Sequence, residues 1–92
     1  MPKELDHHVA KDLCKRLDRL IESYVIKELV LDFRETEFMD SSGIGVIIGR
    51  GKTMQFRDGK ICARHMGKRV SMIFQSAGLN RMVEVKEEQQ NG

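Results

Sequence analysis

The residues best placed to do chemistry form one short stretch, Asp40-Ser41-Ser42-Gly43, near the middle of the chain. The stretch follows a largely apolar run, residues 28–33, and opens a second apolar run, residues 44–50. This order is typical of a strand, a short loop and a helix, which puts a serine hydroxyl at the first turn of the helix. A hydroxyl there can cap the helix, act as a nucleophile or accept a phosphate.

Phosphorylation of Ser41 is the hypothesis that we favour for this stretch. A phosphate in the first turn of a helix meets unpaired amide groups and the positive end of the helix dipole, so the chain stays folded although Asp40 adds a like charge. The surface gains about −1.5 to −2 charges, and a partner is then lost through repulsion and desolvation. Capping by Ser41 or Ser42 accounts for the same residues, and the sequence leaves both possibilities open.

Catalysis and nucleotide binding are poorly supported by the same stretch. A serine nucleophile needs a base and an orienting group, but the GxSxG pattern is absent and nothing in the sequence requires His7 or His8 to approach Ser41. The glycines from Gly43 to Gly49 follow GxGxxxG, which differs from the GxGxxG of dinucleotide-binding loops. Lys52 lacks the first glycine of a P-loop, because position 46 is valine. We therefore predict a protein that is not an enzyme and has no catalytic residue and no cofactor.

No metal site is predicted from the histidines. His7 and His8 are adjacent, so on a helix they point about 100° apart, and His65 is distant in sequence.

Four glycines in the second apolar segment call for a structural reason. Each glycine inside a helix costs roughly 1 kcal/mol relative to alanine. We therefore expect a close backbone approach, to the sheet or to a partner, at Gly43, Gly45, Gly49 and Gly51.

Composition excludes several classes of function. The chain has 92 residues, which predicts a single domain over residues 1–92. Its 16 basic and 14 acidic residues nearly balance, Trp is absent and Tyr occurs once, so direct nucleic-acid binding is not expected. No apolar run approaches the ~18 residues of a membrane span. The separated cysteines, Cys14 and Cys62, indicate a reducing compartment, so we expect a cytoplasmic protein.

Helical and strand patterns alternate along the chain, which predicts an α/β fold with a small, mostly parallel sheet of about three strands packed against about three helices. Residues 1–8 form a polar, unanchored lead-in, and Asp6 is placed to cap the first helix. Residues 86–92 are expected to form a disordered tail. The predicted elements are a helix from about Val9 to Tyr24, a strand over Val25–Phe33, a helix from Ser41 or Ser42 to Phe56, a strand over Lys60–Arg64, a helix from Lys68 that ends at Gly78, and a strand over Met82–Val85.

Three segments resemble one known family. The segment Phe38–Ile47 resembles the phosphorylation loop of the bacterial anti-sigma factor antagonists, which are STAS domains, and those of sporulation most of all. Glu4–His8 resembles the loop before their first helix, and Ser76–Leu79 resembles the turn after their third helix. The resemblance runs from Glu4 to about Val85 and implies a STAS-like fold.

The family resemblance also implies a function and a set of partners. It implies that the unphosphorylated protein binds an anti-sigma factor that is also a serine kinase, which releases the sigma factor, and that a serine phosphatase reverses the phosphorylation. Ser41 is the implied phosphorylation site. A STAS interaction or scaffold module without a phosphoswitch is the alternative. The partner-binding residues implied by the resemblance are Asp6, Asp40, Ser41, Ser42, Gly43, Ile44 and Arg50.

Two parts of the family pattern do not appear in the sequence. Members normally have a β-hairpin of about twenty residues before the Glu4–His8 segment, where this chain has Met1-Pro2-Lys3, and a final helix after the last strand. We expect a shortened STAS domain whose sheet has an uncovered edge. Because uncovered edges promote pairing between chains, either self-association through that edge or lower stability is expected.

Overall fold

The computed structural model describes residues 1–86 as alternating strands and helices. The elements in chain order are β1 (Glu4–Leu5), α1 (His7–Ser23), β2 (Glu28–Asp32), β3 (Phe38–Met39), α2 (Ser41–Phe56), β4 (Lys60–Arg64), α3 (Lys68–Ser76), a 3₁₀ turn (Leu79–Arg81) and β5 (Glu84–Lys86). Within residues 1–86, no helix combines the length and apolar character needed to cross a bilayer.

The main sheet has three parallel strands in the order β2-β4-β5. Leu29 and Leu31 of β2 are buried and alternate with less buried neighbours, and the residues paired with them in β4, Ile61 and Ala63, are buried as well. This period of two gives the sheet one apolar face, on which the helices pack. The predicted α/β fold with a small parallel sheet is confirmed.

A second, two-stranded parallel ladder joins β1 to β3, and it was missing from the prediction. Leu5 of β1 is fully buried, and the ammonium group of Met1 donates a hydrogen bond to the carbonyl oxygen of Asp32 at 3.0 Å. The hydroxyl of the buried Thr36 donates to the carbonyl oxygen of Pro2 at 2.7 Å. The expectation that residues 1–8 are unanchored is therefore wrong, because backbone pairing ties this segment down where its side chains give no periodic signal.

Helix α2 packs closely on other parts of the chain at two of its four glycines. A Cβ atom on Gly43 would overlap the carbonyl oxygen of Leu5 in β1, and one on Gly51 would overlap the side chain of Met82. At Gly45 and Gly49 an added Cβ would meet nothing within 4 Å. Close packing inside the molecule therefore explains why positions 43 and 51 are glycine, whereas Gly45 and Gly49 face open space.

The C-terminal third of the described chain closes the core. Phe74 of α3 packs edge-on against Phe33, with ring centroids 5.5 Å apart. Helix α3 ends before Gly78, whose φ of 73° is the left-handed conformation that glycine adopts easily, as predicted for that position. Lys86 belongs to β5, so it is not part of a disordered tail, and the rest of the predicted tail, residues 87–92, lies outside the described residues.

Candidate functional site at two helix N-termini

Two strand-to-helix units lie side by side in the same orientation. Strands β1 and β3 pair in parallel with Leu5 opposite Met39, and each strand is followed by an aspartate and then a helix. Asp6 therefore precedes α1 just as Asp40 precedes α2. The amide of Asp40 donates to the carbonyl oxygen of Leu5 at 3.1 Å, which joins the two units where the helices begin.

Asp40 is the N-cap of α2 and also holds the start of α1. Its Oδ1 accepts hydrogen bonds from the amides of Ser42 at 2.8 Å and Gly43 at 3.2 Å, and its Oδ2 accepts from the amide of His7 at 3.3 Å. Partial burial favours the neutral acid, but the three amide donors outweigh it, so the pKa of Asp40 lies below its usual value. The carboxylate is therefore charged at neutral pH and fixed in position.

Asp6 caps α1, as predicted. Its Oδ1 accepts from the amides of His8 at 2.9 Å and Val9 at 3.3 Å. The helix begins at His7, two residues earlier than its apolar periodicity indicates.

Ser41 is the first residue of α2, and its side chain is exposed. Within residues 1–86 its hydroxyl has no hydrogen-bond partner. Capping by Ser41 or Ser42, which the sequence left open, does not occur, because β3 ends at Met39 and places the carboxylate of Asp40 at the cap position. The amides of Ser42 and Gly43 are consequently occupied by Asp40, so they are not the free donors expected for a phosphate.

The other proposed partner-binding residues divide into two groups. Ser42 is half-buried, Gly43 is buried against β1, and Ile44 is half-buried one turn beyond Ser41. These three residues share the start of α2 with Asp40 and Ser41.

Arg50 lies about two turns farther along α2 and is directed toward α1. Its Nε is 3.2 Å from Asp18 Oδ1, its guanidinium donates to the sulfur of Cys14, and its side chain is 14% exposed. The structure therefore separates Arg50 from the residues at the helix N-termini.

The surroundings of Ser41 do not form a catalytic triad. The histidine next to Asp40 is His7, whose Nδ1 lies 3.9 Å from Asp40 Oδ2. Within residues 1–86, neither His7 nor His8 makes a hydrogen bond to the hydroxyl of Ser41. A nucleophile without an aligned base has no means of activation in this arrangement.

A cluster on the opposite face of the sheet was not foreseen from the sequence. Cys62 is fully buried beneath Glu28 and Glu84, with its sulfur 3.3 Å from Glu28 Oε2 and 3.9 Å from Glu84 Oε2. Lys86 Nζ lies 2.9 Å from Glu28 Oε2, and Lys60 Nζ contacts both carboxylates at 3.4 and 3.6 Å. The three strands bring these residues together from distant parts of the sequence, so no local spacing marks them.

Electrostatics in this cluster suit an ion-pair network. Hydrogen bonds from Lys86 and then Cys62 lower the pKa of Glu28 to about 2. Burial, followed by the hydrogen bond to Glu28 and then the charge of Glu28, raises the pKa of the Cys62 thiol to about 11. The thiol is therefore protonated at neutral pH, and two lysines already neutralise the two carboxylates.

Comparison with known protein families shows where this chain, with Ser41 beside an aspartate cap, belongs. The family model of the STAS domain matches residues 1–91. The chain belongs to the STAS-domain family. The resemblance drawn from the segments Glu4–His8, Phe38–Ile47 and Ser76–Leu79 is thereby confirmed, and the match extends over almost the whole chain.

Named relatives of this STAS domain are anti-sigma factor antagonists. The anti-sigma F factor antagonist of Paenibacillus polymyxa is 30% identical over 88 residues, which cover 96% of this chain and 75% of that protein. The anti-sigma-B factor antagonist of Listeria monocytogenes is 30% identical over 86 residues, which cover 90% of this chain and 72% of that protein.

Solved structures show the same fold. A putative anti-sigma factor antagonist from Thermotoga maritima superposes with a TM-score of 0.84 over 97% of this chain and 76% of that one, at 21% identity. The phosphorylated form of the Bacillus cell fate determinant SpoIIAA superposes with a TM-score of 0.69 over 92% of this chain and 77% of that one, at 26% identity.

Proposed function

We propose that this STAS domain is an anti-sigma factor antagonist that is switched by phosphorylation of Ser41. In the unphosphorylated state it binds an anti-sigma factor that is also a serine kinase, which releases the sigma factor. A serine phosphatase restores the binding-competent state. The protein acts in the cytoplasm as a binding partner and not as an enzyme. The observation that carries this proposal is the exposed, unbonded hydroxyl of Ser41 beside the aspartate cap of α2.

Ser41 can accept a phosphate without loss of the fold, because Asp40 and not Ser41 caps α2. The helix keeps its cap in both states, and phosphorylation changes the surface alone. A phosphate adds about −1.5 to −2 charges next to the carboxylate of Asp40, which is already ionised. Two neighbouring anions are costly to strip of water, so an interface that covers Ser41 is lost on phosphorylation.

The proposed partner surface is the start of α2 with its neighbours. Asp6, Asp40, Ser41, Ser42, Gly43 and Ile44 are the residues assigned to it. The open space beside Gly45 supports a close approach by a partner along the same helix, since no side chain stands there. Arg50 contributes indirectly, because its ion pair with Asp18 holds α2 against α1.

Incubation with the cognate kinase and ATP, followed by intact-mass measurement, tests the switch. We expect one added phosphate on the natural chain, one on Ser42→Ala and none on Ser41→Ala. Ser42→Ala is the matched control, since it removes a hydroxyl one residue away. Binding to the kinase with no phosphate added to a folded chain would instead support the alternative, a STAS scaffold without a phosphoswitch.

A second copy of the chain is the proposed occupant of the free edge of β2. The amide of Phe33 donates to the carbonyl oxygen of Arg64, and the carbonyl oxygen of Lys27 accepts from the amide of Lys60, so both residues face β4. The carbonyl oxygen of Asp32 points to the other edge and accepts from the ammonium group of Met1. By the alternation of a strand, the backbone groups of Glu28 and Val30 also point to this free edge, and Val30 is 40% exposed. Within residues 1–86 no strand covers them. Sedimentation equilibrium should show a concentration-dependent dimer that Val30→Pro abolishes, and a monomer at all concentrations contradicts the proposal.

A further inference from the structure

An open apolar groove runs between the first turns of α2 and one face of α3. Its volume is about 680 Å³, and its floor is formed by Ile44 of α2 with Met72, Ile73 and Ala77 on the side of α3. Met72 is 61% exposed, so its side chain is accessible to a partner. The groove begins one turn beyond Ser41 and is not explained by packing within the domain.

Positive charge is concentrated at one end of this groove. Lys68 and Arg69 line it from the first turn of α3, which contains no acidic residue. The cap residue, Gly67, offers no side chain to the free amides of that turn, so the helix dipole adds to the two cations. Within residues 1–86 neither Lys68 nor Arg69 makes an ion pair, and the nearby Glu37 is 3.8 Å from Lys3.

We propose that the groove binds an amphipathic α-helix of the anti-sigma factor, with its apolar stripe on Ile44 and Met72 and acidic residues toward Lys68 and Arg69. The proposal rests on the proposed function. Two roughly adjacent helices with an apolar gap fit a third helix, which is a common mode of recognition. The nine residues of α3 span about 14 Å, enough for two to three turns of a docked helix.

The proposed loss of partner binding on phosphorylation of Ser41 agrees with an acidic helix in the groove. A helix in the groove passes beside Ser41, because Ile44 lies on the next turn of α2. A phosphate on Ser41 repels acidic residues and attracts basic ones. An acidic segment adds repulsion by the phosphate to the desolvation cost, so its release on phosphorylation agrees with its attraction to Lys68 and Arg69 in the unphosphorylated state.

Isothermal titration calorimetry with the cognate anti-sigma factor tests the proposal. The groove variants are Met72→Asp and the double variant Lys68→Glu/Arg69→Glu, all at exposed positions, with circular dichroism melts to check folding. We expect each to raise Kd at least about tenfold. The control Lys11→Glu/Lys15→Glu makes the same charge change on the exposed side of α1 and should alter Kd less than about threefold.

A photoreactive benzophenone amino acid in place of Met72 identifies the occupant. We expect it to crosslink to a segment of the anti-sigma factor with apolar residues three and four apart and acidic residues beside them. A crosslink to a basic or extended segment overturns the inference, as do groove variants that bind like the natural chain.

These outcomes separate the two proposals. If the natural chain binds the anti-sigma factor and phosphorylation releases it while the groove variants bind normally, the docking site is wrong and the function stands. If the natural chain does not bind the anti-sigma factor, the proposed function itself fails.

Discussion

Replacing two nearby glycines of α2 with alanine should change stability in opposite directions. A Cβ at Gly43 overlaps the carbonyl oxygen of Leu5, a backbone atom that the β1–β3 pairing keeps in place. Overpacking of this kind costs up to about 3 kcal/mol, and the better helix propensity of alanine returns about 1 kcal/mol, so Gly43→Ala loses about 2 kcal/mol. Gly45 faces open space, so Gly45→Ala keeps the propensity gain of about 1 kcal/mol.

Thermal unfolding followed by circular dichroism measures this contrast. In a chain of 92 residues, each 1 kcal/mol shifts Tm by roughly 4–8 °C. We expect Gly43→Ala to melt roughly 8–16 °C lower and Gly45→Ala roughly 4–8 °C higher than the natural chain. Urea titration checks that both variants unfold with an unchanged m-value, as the comparison requires. Equal shifts for the two variants would refute the packing of Gly43 on β1, and destabilisation by Gly45→Ala would refute the open space beside Gly45.

Three further outcomes follow from the site and the sheet. Asp40→Ala should lower Tm by roughly 4–8 °C and Ser41→Ala should leave it nearly unchanged, because the carboxylate and not the hydroxyl caps α2. A comparable loss of Tm for Ser41→Ala would mean that the serine is the cap. The pKa of Glu28 is lowered from 4.5 to about 2, so the stability that its charge contributes is present above about pH 4.5 and is lost as the pH falls toward 2. The Tm difference between the natural chain and Glu28→Gln should therefore shrink over that range and stay constant from pH 5 to 7. Cys62 is fully buried and its thiol pKa is raised to about 11, so it should react with Ellman's reagent at pH 7.5 much more slowly than the half-buried Cys14. Equal rates in the folded protein would show that the ion-pair network does not shield Cys62.

The sequence predicts the longer elements well because their patterns span several turns or pairs. Strand β4 has the predicted bounds, Lys60–Arg64, and α2 ends at Phe56 as expected. Strands β1 and β3 have two residues each, too few for any alternation, and their pairing depends on backbone contacts between positions 34 residues apart. No local pattern contains that information.

The sequence predicts the place of the candidate site but not which of its residues caps α2, because that depends on where β3 ends. The stretch Asp40-Ser41-Ser42 offers three consecutive residues that can cap a helix, and spacing alone does not select one. The end of β3 at Met39 selects Asp40 and frees Ser41. One available signal was overlooked: Leu5-Asp6-His7 repeats the apolar–aspartate–polar order of Met39-Asp40-Ser41, which marks the two paired units.

The helix cap, Asp40, and the proposed phosphorylation site, Ser41, are different residues, which has a consequence for engineering. Because Asp40 secures the start of α2, position 41 carries no duty in folding and is free to vary. Threonine, tyrosine or cysteine could be placed there as the target of an unrelated kinase or of a chemical label. Under the proposed function, the domain is thus a scaffold in which the residue that receives the phosphate can be exchanged while the folded framework is left alone.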